Sequence, residues 1–102
     1  MMTSTFKVVI PDRFKLATRP NGVEARTYVL MVLKAHAAVE LDFQGATPTP
    51  SFADECIGVL CRTMGWDEFK KRVRLTNVPD ASRPLIKHVV HRRRAEAPVA
   101  VC

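Results

Sequence analysis

The residues able to do chemistry gather in one stretch, residues 37–58, AAVELDFQGATPTPSFADECIG. Asp42 and Gly45 close an apolar run, and Ser51 opens the next, followed at once by Phe52, Asp54 and Glu55. A serine three residues ahead of an acid at the start of a helical pattern reads as a capping box. The hydroxyl accepts from the Asp54 N–H and the carboxylate reaches back. The same helix start presents free N–H groups beyond the end of a strand, where a phosphate can bind or be attached. Ser51 is thus the candidate phosphoacceptor, weighed against the plainer reading of a capping serine.

Catalysis finds little footing. A nucleophile needs a base within reach, and His36, His88 and His91 are far from Ser51 in sequence, with no GxSxG turn around it. His88 and His91 stand three apart on a predicted helix, but no cysteine or acid accompanies them at ligand spacing, so no metal is expected. P-loop and GxGxxG patterns are missing as well. Three cysteines form no CxxC pair, and Cys56 and Cys61 sit five apart on one helix, pointing different ways. They read as reduced core residues. The chain therefore reads as a non-enzyme with no cofactor.

The elements that position this stretch follow from periodicity. Phe6, Val8 and Ile10 alternate as a first strand, and residues 14–17 suggest a second short one, a hairpin around Pro11 and Asp12. Thr18, Arg19, Pro20, Asn21 and Gly22 read as a turn, with a helix over 23–35. A strand at 38–43 ends at Gln44 and Gly45. Pro48 and Pro50 stiffen the loop, and a helix runs from Ser51 to a stop at Gly65. A short helix at 66–71, a strand from Val73 and a last helix with Pro84 in its first turn complete the pattern. These expectations amount to one α/β domain over residues 1–94 with a tail at 95–102. Its sheet is mixed and mostly parallel, of about four strands, with three to four helices mainly on one side.

Composition agrees with one soluble domain: 102 residues, 47% apolar and 25% charged. No run approaches a membrane span, and the N-terminus lacks a signal-peptide core, so the expectation is a cytoplasmic protein without a membrane partner. The net charge of +6 is uneven: residues 1–69 sum to −1 and residues 70–94 to +8. Lys70, Lys71, Arg72, Arg74, Arg92, Arg93 and Arg94 are the alternative site, a face for nucleic acid, though no DNA- or RNA-binding signature accompanies them. A solvated basic face, or one that meets an acidic protein, is the blander reading.

Leu41-Asp42-Phe43-Gln44-Gly45 and Ser51-Phe52-Ala53-Asp54-Glu55, with the looser Thr18–Arg26 segment and Leu75-Thr76-Asn77-Val78, resemble a STAS-like family of unknown function. The resemblance spans about residues 14–93. That family is similar to the STAS anti-sigma-factor antagonists, in which a serine at this helix start is phosphorylated by a histidine-kinase-like ATPase partner. The antagonists carry D-S-S-G or D-S-T-G where this chain has Pro50-Ser51-Phe52-Ala53, which places Ser51 one position early and Phe52 on the acceptor. The resemblance implies a STAS-like fold and a regulatory role through protein–protein contact. The partner, such as that ATPase, would bind around Asp42, Gly45, Ser51, Phe52, Asp54 and Glu55.

Overall fold

The computed structural model describes residues 4–96. Strand β1 (Thr5–Val9) leads into a single helical turn, α1 (Ile10–Arg13). Helix α2 (Arg19–Ala35) precedes β2 (Ala38–Asp42). Helix α3 covers residues 50–64 in three parts: α-helical Pro50–Ala53, a π-helical segment Asp54–Gly58, and α-helical Val59–Met64. Helix α4 (Trp66–Arg72) feeds β3 (Val73–Thr76), and a 3₁₀ turn at Asp80–Ser82 opens α5 (Arg83–Arg94).

The sheet has three strands in the order β1-β2-β3, all parallel. Its register sets two apolar rows on one face, Phe6–Val39–Val73 and Val8–Leu41–Leu75. The opposite face carries Lys7–Glu40–Arg74, whose two cations are exposed. Parallel sheets are commonly covered on both faces and then read as continuous apolar runs. Alternation along β1 and β3 instead matches helices packed on one face only. Val29, Val32 and Leu33 of α2, Phe52, Ile57 and Leu60 of α3, Phe69 of α4 and Ile86 and Val89 of α5 form the core with Val8, Val39 and Leu41.

Three expectations need correction. The sheet has three strands, not four, and is wholly parallel, and the described residues form five helices where three to four were expected. Residues 14–17 join no strand, because Pro11 enters the first turn of α1, where its missing N–H costs nothing, instead of a hairpin. The ring of Phe14 packs beside Tyr28 at 6.0 Å. Residues 19–22 are the first turn of α2, not a loop. Thr18 is the N-cap, its Oγ1 accepting from the Asn21 N–H at 3.2 Å, and Pro20 sits in the first turn.

Gly22 is there for contact. A Cβ on it would lie 2.7 Å from Glu55 Cβ and 3.1 Å from the Phe52 carbonyl oxygen. Gly58 does the same for α5: its Cβ would meet Arg93 Cγ and Asp54 Oδ1 at 3.0 Å. These two glycines bring α2 and α5 close against the π-helical segment of α3. At the other end of α2, Arg72 donates to the carbonyls of Leu33, His36 and Ala37 at 2.6, 3.0 and 2.8 Å, satisfying acceptors that a helix terminus leaves free. No helix among the described residues is long and apolar enough to cross a membrane.

Candidate functional site: the strand-end junction

The strand and the helix start expected on either side of the loop are both present, with the loop between them at the carboxyl ends of the parallel strands. Asp42 organises this end. Its Oδ1 accepts from the Gln44 N–H at 2.8 Å and from Asn77 Nδ2 at 2.9 Å, and Lys7 Nζ lies 3.3 Å from Oδ2. One carboxylate at the end of β2 thus reaches the middle of β1 through Lys7 and the residue after β3 through Asn77. Those bonds, Asn77's first and the Gln44 N–H next, hold its pKa below the usual carboxylate value. Gln44, Gly45 and Asn77 adopt positive φ of 49°, 75° and 53°, so β2 and β3 both leave the sheet through left-handed turns. The Gly45 N–H closes the two turns on the Asn77 carbonyl at 2.8 Å.

The loop then docks on the segment before α2. Thr49 donates its N–H to the Leu16 carbonyl at 2.9 Å and its hydroxyl to the Ala17 carbonyl at 2.8 Å. Thr49, not Ser51, caps α3: its Oγ1 accepts from the Phe52 N–H at 3.1 Å, with Pro50 following in the first turn. The capping box read at Ser51 is corrected accordingly. Proline fixes the φ of a first helical residue and holds its predecessor extended, as an N-cap must be. The Thr49-Pro50 pair is the local sequence signal for this cap. Thr49→Ala should cost about 0.5–2 kcal/mol by the usual scale for a lost cap. Ser51→Ala should stay within about 0.5 kcal/mol, as a partly exposed position off the cap does. Paired urea melts check both.

The expected partner-binding residues divide into three environments. Asp42, Gly45 and Ser51 belong to the junction, with Gly45 exposed and Ser51 half-buried. Phe52 is wholly buried and offers no surface; it is core. Asp54 and Glu55 turn the other way, toward α2 and α5. Asp54, 2% exposed, receives Arg93 in a two-pronged pair (Nε to Oδ1 2.9 Å, Nη2 to Oδ2 2.7 Å). Arg19 adds 3.0 Å to Oδ2 and Arg92 3.1 Å to Oδ1. These arginines, Arg93 foremost, hold the carboxyl far below its usual range against the opposing cost of burial. Glu55 is held below its own usual value by Arg26 (2.9 Å) first and then by Arg19 (3.1 Å). Asp54 and Glu55 share no partner with Asp42; they lock helices together and do not cap α3.

The basic residues divide as well: Lys70, Lys71, Arg72 and Arg74 line one cleft beside β2 and β3, whereas Arg92 and Arg93 turn to Asp54. Arg72 and Arg93 point inward as described, and Arg92 reaches Asp54. Lys70 and Arg94 lie over the Trp66 ring at 5.5 and 4.1 Å, and Lys71 is 3.9 Å from Glu68. Arg74 stands on the open sheet face. Glu96, expected in the tail, accepts from Arg62 at 2.9 Å and from Arg93 at 3.2 Å; residues 97–102 of that tail lie outside the described residues. Burial pushes the Cys56 thiol up to about 12 and also raises Cys61, which disfavours the thiolate at both.

The profile of the STAS-like domain of unknown function (DUF4325) matches residues 21–83, from the first turn of α2 to the start of α5. The chain belongs to this STAS-like family. Comparison with curated proteins and with solved structures gave no match. The family match covers the junction, β2, α3 and β3 entire. It stops short of Arg92 and Arg93 and begins after Arg19, so all three arginines paired with Asp54 among the described residues lie outside it.

Proposed function

We propose that this STAS-like domain is a non-enzymatic regulatory module that binds another protein at its strand-end junction. The observation carrying this reading is the loop that Asp42, Asn77 and Thr49 fasten at both ends. Gln44, Gly45, Thr47 and Pro50 are exposed along it. A surface of this kind is preorganised, so little chain entropy is lost when a partner settles on it. A histidine-kinase-like ATPase is the partner class that kinship to the antagonists suggests. Ser51 contributes its hydroxyl to this surface. Asp54 and Glu55 follow it by one turn and oppose a phosphate there, whereas the half-exposed Arg19 that bridges them favours one.

The test is site-specific photo-crosslinking in the protein's own cells. A photoreactive phenylalanine replaces Thr47 in one variant and Lys87, exposed on α5, in another. A discrete adduct from position 47 and none from 87 is expected, and mass spectrometry of the adduct would identify its class. Adducts from 87 alone, or none from 47, overturn the junction as the binding surface.

A further inference from the structure

Helix α2 is apolar on two sides. Its inner side buries Gly22, Ala25, Val29, Val32 and Leu33. Its outer side carries Val23, Thr27, Leu30 and Met31 at spacings of four, seven and eight residues, one face of a helix. Val23 and Met31 are the large apolar side chains most open to solvent among the described residues, at 39% and 58%. Beside them runs an open groove of about 620 Å³, lined by Thr27, Leu30, Met31 and Lys34 with Met64 of α3 and Arg72 of α4. Val23 and Met31 thus leave an apolar patch open to solvent beside the groove, flanked by the charged Glu24 and Lys34, and a patch of this kind is suited to a cover.

We infer that the cover is a second copy of this chain, its α2 packed antiparallel across a two-fold axis. The charges on the face select this occupant. Glu24 and Lys34 are both exposed, and neither pairs with another described residue. They stand five residues either side of position 29. Antiparallel pairing about that point sets Glu24 of each copy beside Lys34 of the other, twice over. The same operation faces Thr27 with Met31 and Val23 with Ala35, so every contact repeats in its symmetric partner, as a two-fold interface requires. Met31, unbranched and flexible, fits the groove beside Thr27 of the opposite copy. The net charge of +6 opposes association, an effect that physiological salt screens beyond about 8 Å. This surface is distinct from the strand-end junction, so its failure leaves the proposed function standing.

Sedimentation equilibrium at physiological salt, from low-micromolar to near-millimolar protein, tests the inference. Wild type should show a monomer–dimer equilibrium. Glu24→Lys and Lys34→Glu should each weaken it about tenfold or more, since each sets two like-charge pairs face to face. The double reversal should recover most of the loss, and Met31→Asp should leave monomer. All three positions are exposed, so thermal melts of the dilute variants should match wild type, which separates lost association from lost folding. A wild type that stays monomeric throughout overturns the inference. So does a dimer indifferent to Met31→Asp, or a double reversal no tighter than the single ones.

Discussion

Asp54→Ala should destabilise the domain by about 3–5 kcal/mol, the range seen when one partner of a buried ion pair is removed. The loss arises from what stays behind. Arg19 and Arg92 have side chains about half exposed, 51% and 50%, and can turn back to water. Arg93 has a side chain 18% exposed and cannot follow as easily. Its guanidinium would keep the Glu96 contact and lose both prongs of its pair with Asp54. Asp54→Asn should also destabilise, because the amide presents N–H donors to three arginines that are donors only. A second change, Arg93→Met in the Asp54→Ala background, should recover part of the loss by removing the stranded charge. Urea melts of the four proteins measure this. An Asp54→Ala domain as stable as wild type would mean that the arginine cluster holds nothing in place.

The same site fixes the direction of the acid response. The Asp54 carboxyl titrates far below its usual value in the folded chain, and those of Glu55 and Asp42 are also lowered. Below about pH 4, where free carboxylates protonate, the unfolded chain binds more protons than the folded one. Stability from these groups is therefore complete above that pH and is lost as pH falls toward the folded values. Removing Asp54 should make the acid limb shallower and leave the neutral region flat. Chemical melts between pH 2 and 7 read both slopes; an unchanged acid limb in Asp54→Ala would contradict the assignment.

What periodicity carries was legible in the chain. Val39 and Leu41 announce β2, Trp66 to Arg72 announces α4, and Val73 to Thr76 announces β3, because burial on one face imposes a period on the residue types. Residues that act through distant partners left no such mark. Arg19 and Arg93 reach Asp54 across 35 and 39 residues, and no local pattern says which of sixteen cations will meet which acid. Gly22 followed Pro20 and Asn21 and so looked like a turn. Its actual reason, the close passage of Glu55 and Phe52, exists only once two helices are packed. The wide π-helical turn at Asp54–Gly58 lies where α2 and α5 pack and where the arginines meet its first carboxylate, contacts that no local pattern announces. Asp42 could be placed at a strand end by pattern alone, but its bond to Asn77 required the parallel register of β2 and β3.

Phe52→Ala should remove about 3–5 kcal/mol, the usual result of truncating a fully buried phenylalanine, from a total on the order of 5–15 kcal/mol for a natural domain. Phe52 has no exposed surface and lies within the core cluster that also holds Phe43, Leu41 and Ile57. Its position two residues after Pro50 makes it resemble a junction residue, and its alignment with the acceptor of the antagonists strengthens that impression. Burial decides otherwise. A side chain that no partner can touch affects binding only by shifting the fraction of folded chain. The melting temperature should fall on the order of 20 °C, given roughly 4–8 °C per kcal/mol at this length, while Phe52→Leu should cost less than about 1.5 kcal/mol, since most of the volume is kept. At a temperature where both variants are folded, any partner captured at the junction should bind them with the wild-type affinity. Weaker binding by Phe52→Leu at unchanged stability would show that the ring reaches the surface in the complex, and would move the interface from the loop onto α3 itself.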